Sequence, residues 1–382
     1  MSRTMNKSKA TEFLTKVMVK LRHDRPPLGR DQPWYVRYDK AMGGTFAQLW
    51  FLTRGCTWDR RGACTMCNYG QSAGVSPLEI TRFVREGLES IDRPISELYV
   101  SPSGSLLDEL EVPAASRRDI LRLVDEFPAE RFSFETRPET ITASVIDELH
   151  DLVPSKGIAV GFGLESADSW ILDHCVNKSG ASDAFAAATT QLHGINLYAN
   201  VSLGSALLST AEAIEDTVKS VEWALGHGAN LALVFPMHVK GYTLLDWLYQ
   251  RGLYAPPSLW SLVEVLRRLD PSLITRVTIS WYRSDYGADP GVIASPTTCP
   301  GCRNKVLTTL DEFRAESTSE AMEKLQRLEC ECKRAWEKEL GTPTEPLARR
   351  VFSTYRLVAK EMGFMDWWKV NNSILAAEMS IQ

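Results

Sequence analysis

Three of the chain's eight cysteines fall in one short stretch: Cys56, Cys64 and Cys67, spaced C-x7-C-x2-C. Three thiolates can hold three irons of a cubane and leave the fourth iron open, although thiolates suit zinc as well. A closed zinc site needs a fourth ligand, and neither His nor Cys follows within the loop. Four more cysteines form a second group. Cys299-Pro300-Gly301-Cys302 is a C-x2-C knuckle with a tight Pro-Gly turn, and Cys330-Glu331-Cys332 follows after 27 intervening residues. Four thiolates predict a closed site for structural zinc or for an auxiliary iron–sulfur cluster, and such a site tethers the tail to the body. Cys175 has no cysteine neighbour and reads as a buried, inert thiol.

Such groups need a frame, and the apolar pattern supplies one. From residue 47, β-prone runs (47–54, 97–100, 131–135, 157–165, 195–203, 230–236) alternate with helical runs (77–90, 116–126, 142–152, 182–193, 210–227). Strands alternating with helices imply parallel βαβ units. Six such units, or seven with 277–281, predict an α/β fold, a partial (β/α)6-type barrel whose chemistry sits where strands end and loops begin. The first cysteine loop then lies at the barrel mouth. Phe13, Leu14, Val17, Met18 and Leu21 form the stripe of a docking helix or, as the lesser alternative, a targeting helix, whereas 24–45, rich in Pro, Gly and aromatics, reads as a loop. After about residue 290 the pattern becomes helical and ends in a helix over 347–362. The expected division is an N-terminal extension (1–45), a barrel (46–290) and a small C-terminal module with the four-Cys metal site (291–382).

Composition excludes some functions. Apolar types make up 44% and charged types 24%, which is globular rather than disordered. No apolar run is long enough for a membrane span and no signal-peptide pattern opens the chain, so a cytoplasmic protein is expected. In a reducing compartment, clustered cysteines are metal ligands rather than disulfides. Net charge is −5, but residues 1–40 carry ten Lys/Arg against four Asp/Glu, leaving the remainder at −11. Broad nucleic-acid binding is therefore not expected of the body, while the basic arm could touch phosphate.

The cysteine loop after the first barrel strand resembles that of the radical S-adenosylmethionine (SAM) superfamily. The usual spacing there is C-x3-C-x2-C, and the longer form is close to the Elp3-like and methylthiotransferase branches. The resemblance implies a [4Fe–4S] cluster on Cys56, Cys64 and Cys67 that binds SAM and cleaves it to methionine and a 5′-deoxyadenosyl radical, fed by a flavodoxin- or ferredoxin-type donor. It also implies SAM contacts at four strand ends: Ser103, Gly104 and Ser105; Glu135 and Arg137; Glu165; and Lys178. Asn200, His238 and Arg283 are then candidates facing substrate, His238 as acid/base or anchor and Arg283 as a fork for carboxylate or phosphate.

Ser103-Gly104-Ser105-x-x-Asp108, Glu135-Thr136-Arg137-Pro138, Gly163-Leu164-Glu165-Ser166 and Arg251-Gly252-x-Tyr254-x-Pro256-Pro257-x-x-Trp260 are similar to the archaeosine-synthase radical SAM subunit (RaSEA) family. That likeness implies tRNA modification with a partner that transfers lysine to a 7-cyano-7-deazaguanine base. The radical enzyme then cleaves the lysine C–N bond and leaves an amidine. Two alternatives stand beside it: a radical SAM enzyme acting on a small metabolite, and a non-catalytic zinc-binding barrel.

Overall fold

The computed structural model describes residues 8–27, 31–71, 74–102, 104–284 and 291–381. Its strands are β1 (Trp34–Ala41), β2 (Gly44–Phe51), β3 (Glu97–Pro102), β4 (Arg131–Thr136), β5 (Gly157–Glu165), β6 (Ile195–Leu203), β7 (Leu231–Pro236), β8 (Val239–Lys240), β9 (Val277–Ile279) and β10 (Val292–Ala294). One eight-stranded sheet runs β1-β2-β3-β4-β5-β6-β7-β9, and β8 pairs with β10 in a small ribbon. From β2 to β9 every pairing in the large sheet is parallel, so the βαβ expectation holds, with β9 as the seventh parallel strand.

The helices are α1 (Lys9–Arg22), α2 (Thr57–Arg60), α3 (Pro77–Glu89), α4 (Ala114–Glu126), α5 (Ala143–Leu152), α6 (Ser169–Ile171), α7 (Ala181–Thr189), α8 (Thr210–Gly226), α9 (Leu244–Tyr249), α10 (Leu259–Arg268), α11 (Pro300–Glu316), α12 (Ser319–Gln326), α13 (Glu331–Leu340), α14 (Leu347–Glu361) and α15 (Met365–Glu378). Capping boxes start α3 (Ser76 with Glu79) and α8 (Ser209 with Glu212), satisfying amide groups that a helix end leaves without partners. Among the described residues, no helix is long and apolar enough to cross a membrane.

Two expectations need correction. Residues 34–41, inside the stretch read as a loop, form β1, an antiparallel edge strand joined to β2 by the Met42-Gly43 turn. Both turn residues have positive φ (53° and 74°), as a two-residue hairpin requires. The Pro and Gly residues that flank the strand mask it, although Trp34, Val36 and Tyr38 alternate onto the core side. The tail also continues past 362 into α15, which packs with α14 and α1 in a second apolar core.

Within the sheet, alternation sorts side chains between two environments. Phe132 and Phe134 of β4 point to the helices and are fully buried, while Arg131, Glu135 and Arg137 face the concave side and line a cavity. The sheet must curl, because α11 touches both of its edges. Arg314 reaches Asp39 of β1 at 2.7 Å, and its carbonyl accepts from the Met42 amide at 3.1 Å. Asp311 accepts from the Tyr282 hydroxyl at 2.6 Å and pairs with Arg283 at 2.5 Å, both just past β9. The result is a half-barrel with a helix laid across its open side.

Candidate active site

β2 ends at the cysteine loop, and four neighbouring segments hold that loop in place. The Cys56 amide donates to the Tyr69 carbonyl at 2.8 Å, and Cys64 and Thr65 donate to the Asn177 and Val176 carbonyls at 3.3 and 2.9 Å. Glu111 accepts from the Thr57 amide at 2.7 Å. From α1, Arg22 donates to the carbonyls of Asp59, Cys64 and Cys67 at 2.5 to 2.8 Å. Arg25 pairs with the buried Asp59 carboxylate at 2.7 Å. Two arginines of the basic arm are thus buried against the cysteine loop rather than offered to phosphate, an outcome the charge count could not reveal.

Burial pushes all three loop thiols up from the ordinary cysteine value, Cys64 to about 12. Lys178 opposes this at Cys64 and Lys240 at Cys67. Left alone, the loop holds three neutral thiols, so metal binding must release their protons. The four C-terminal cysteines bring their ligand atoms within 4.8 Å of one another. Cys56, Cys64 and Cys67 instead line one cavity together, three thiols where a cubane with one open iron needs three thiolates. The residues present therefore fit a [4Fe–4S] cluster.

All three cysteines line a cavity of about 630 Å³ that runs along the concave face of the sheet. Gly104, Glu135, Arg137, Gly163, Glu165, Lys178, Asn200 and His238 line it too. Glu135 accepts from Asn200 Nδ2 at 3.0 Å, and burial raises its pKa. Lys178 donates to the Gly163 carbonyl and to Glu165 at 2.5 and 3.1 Å, and Glu165 also accepts from Ser202 at 2.5 Å. A Cβ on Gly163 would sit 2.7 Å from Glu165 Oε1 and 2.8 Å from Lys178 Nζ, so it would push this ion pair aside. Both ring nitrogens of His238 are engaged, Nε2 with the Trp281 carbonyl at 2.5 Å and Nδ1 with Ser295 at 3.0 Å. A carbonyl only accepts, so Nε2 carries a proton. His238 is placed to orient Trp281.

Two predicted residues stand elsewhere, and a third is not described. Ser103 lies outside the described residues. Ser105 turns from the cavity and shares a 2.5 Å hydrogen bond with Thr136. Arg283 braces α11 through Asp311 and does not line the cavity. Arg137 is tied to Glu111 at 2.6 Å, to Glu139 at 2.9 Å and to Asp108, with Nη1 3.9 Å from Cys56 Sγ.

Sequence reasoning missed Glu111 and the aromatic walls. Fully buried, Glu111 accepts from Thr57 on the cysteine loop and, at 2.6 Å, from the Ser105 amide on the next turn. Gly104 has φ +148°, and a Cβ there would lie 2.0 Å from Glu111 and 3.3 Å from the Cys56 backbone, which explains the glycine. Trp50, Tyr99, Tyr198 and Phe235 line the cavity from positions two residues out from Gln48, Ser101, Asn200 and Leu233. The period-two alternation carried that signal once Asn200 was placed inward.

A curled parallel half-barrel, with three half-buried cysteines after its first parallel strand opening on one cavity, defines a radical SAM enzyme. No family model matches the chain. It is 29% identical over 308 residues to archaeosine synthase subunit beta of Methanosarcina acetivorans, covering 77% of this chain and 86% of that one. It is 31% identical over 244 residues to archaeosine synthase subunit beta of Thermococcus kodakarensis, covering 61% and 75% respectively. Among solved structures it is similar to Elp3 of Methanocaldococcus infernus, with 18% identity, 68% and 61% coverage and a TM-score of 0.45. The chain belongs to the archaeosine synthase subunit beta family, and the non-catalytic zinc scaffold is set aside.

Proposed function

We propose that this chain acts in the cytoplasm in tRNA modification, abstracting a hydrogen from a lysine–deazaguanine type adduct and so cleaving the lysine C–N bond. The observation that carries the reading is the single cavity shared by Cys56, Cys64, Cys67 and the polar set Glu135, Glu165, Lys178 and Asn200. When bound, a [4Fe–4S] cluster supplies the electron that splits SAM to methionine and a 5′-deoxyadenosyl radical. The three thiolates hold that cluster. Glu135 and Glu165 bind ribose hydroxyls or an ammonium group, and Lys178, beside Glu165, binds a carboxylate. The Gly104 turn brings backbone carbonyls close to SAM. Arg137 and Glu111 position the cysteine loop, and Asn200 and the aromatic walls face substrate. The largely apolar walls limit water beside a reactive radical.

That the relatives are beta subunits supports a partner subunit. The lysine-transferring enzyme and a flavodoxin- or ferredoxin-type donor complete the scheme. A second reading, a small metabolite as substrate, is favoured by one observation: Arg22 and Arg25 are buried, which leaves the acidic body with less basic surface.

Anaerobic reconstitution tests the reading. The protein should gain the broad visible absorbance of an iron–sulfur cluster, form 5′-deoxyadenosine with a reductant, and process lysine-bearing tRNA. Full SAM cleavage by Cys56→Ala would overturn the site. Turnover of a free deazapurine adduct but not of the tRNA would favour the second reading.

A further inference from the structure

We propose that Cys299, Cys302, Cys330 and Cys332 bind a single tetrahedral zinc ion, and that this ion is the clasp holding α11 across the open side of the half-barrel. The proposal takes the C-terminal cysteines as a metal site separate from the loop cluster, and names both the occupant and what it controls.

Sulfur spacing decides between the two occupants. Cys299 Sγ lies 3.5 Å from Cys302 Sγ and 3.6 Å from Cys330 Sγ, and Cys302 Sγ lies 3.4 Å from Cys332 Sγ. All four ligand atoms fall within 4.8 Å of one another. A tetrahedron with metal–sulfur bonds of about 2.3 Å has edges of about 3.8 Å, close to these values. An iron–sulfur cluster shares its four thiolates among different irons and spreads them farther apart. The space between these sulfurs takes one ion.

The surroundings complete a structural site. With four thiolates the coordination sphere is closed, and no position is left for substrate. Trp260 of α10 donates its indole N–H to Cys332 Sγ at 3.2 Å, and the Thr298 hydroxyl lies 3.2 Å from Cys302 Sγ. Such outer contacts orient thiolates and offset their charge. The Leu259 amide donates to the Thr297 carbonyl at 3.1 Å, so the knuckle is also stitched to the start of α10.

The ion's leverage comes from where α11 goes. Cys299 caps its first turn, and Cys302 lies within that turn. At about 1.5 Å per residue the helix runs on the order of 25 Å to its far end. There Arg314 lines the cavity, and the Arg314 and Ala315 carbonyls accept from the Met42 and Gly43 amides at the β1–β2 hairpin tip. Midway, Asp311 holds Tyr282 and Arg283 after β9. One end of α11 is fixed by the four sulfurs, and the other closes the cavity wall between the two sheet edges.

The test uses the full chain. Metal analysis of the reconstituted wild type should give roughly one zinc per chain beside about four irons, with only sulfur neighbours to zinc by X-ray absorption. Removing zinc from the wild type with a thiol-reactive displacer under anaerobic conditions, and in parallel Cys330→Ser/Cys332→Ser, should raise amide exchange about tenfold or more over 300–316 and over 34–45, while α5 stays protected. About eight irons per chain, or one iron in place of zinc, would overturn the ion's identity. Zinc loss without faster exchange over those segments would overturn the clasp. Absence of any metal beyond the loop cluster would sink the underlying metal site itself.

Discussion

Glu111 has no exposed surface, yet it joins the cysteine loop to the turn beside it. One oxygen accepts from the Thr57 amide and hydroxyl and from Arg137; the other accepts from the Ser105 amide. Its charge also works against ionisation of the Cys56 thiol. Glu111→Gln keeps the shape but turns one acceptor into a donor facing N–H groups, and it removes a negative charge close to the cluster. SAM cleavage should fall about tenfold to a hundredfold, the usual effect of losing a residue that orients metal ligands. The cluster potential should rise, because less negative surroundings favour the reduced form. The first is read by 5′-deoxyadenosine formation and the second by a redox titration. Unchanged turnover and potential would remove Glu111 from the machinery. The cysteines around it were legible because thiolate spacing is local in sequence. Glu111 was not, since its role comes from a chain reversal that places it under Thr57, 54 residues away.

At the scale of elements, the parallel strands and most helices could be read from periods of 2 and 3.6 residues. β5 and β6 match their expected spans, because buried parallel strands are continuous apolar runs. β1 escaped as a half-exposed edge. The turn at Leu172–Val176 escaped because its widened π-helical geometry follows from packing, not local propensity; it ends on left-handed Asn177 and presents the carbonyls that hold Cys64 and Thr65. The contact of α8 with the end of β5 has a titratable group at its centre. Asp216 accepts from Ser166 at 2.6 Å and from Ser220 at 3.4 Å, and burial raises its pKa to about 6. A carboxyl raised in the fold contributes stability below its unfolded pKa, and that contribution is lost as pH rises through the folded value. The window is about pH 4 to 6. Asp216→Asn should therefore gain on the wild type by about 2 kcal/mol between pH 4 and pH 8, since roughly two pKa units separate the states. Urea midpoints at the two pH values check this, and a difference that does not vary with pH would remove the buried charge from the account.

For the whole molecule, charge and architecture bear on what the chain can hold alone. Residues 41–382 carry −11, and the basic arm is partly spent on the fold: Arg22 and Arg25 on the cysteine loop, and Lys20 on the Met362 carbonyl at 2.8 Å. α11 and its cysteine site further cover one side of the half-barrel. A nucleic-acid substrate must then find most of its positive charge on a partner subunit, with this chain supplying the pocket for the reacting group. Binding that neutralises Z phosphates gives log K a slope of about −0.7Z to −0.9Z against log salt. Two or three phosphate contacts on this chain would give a slope of about −3 or shallower, and the complex with the partner a much steeper one. Fluorescence titrations of tRNA at several salt concentrations, with each protein alone and with both, measure this directly. A slope as steep as about −6 for this chain by itself would place the RNA surface here, on a face the overall charge does not reveal. A shallow slope alone that steepens with an added partner would support the proposed subunit assembly and tie it to the acidic body.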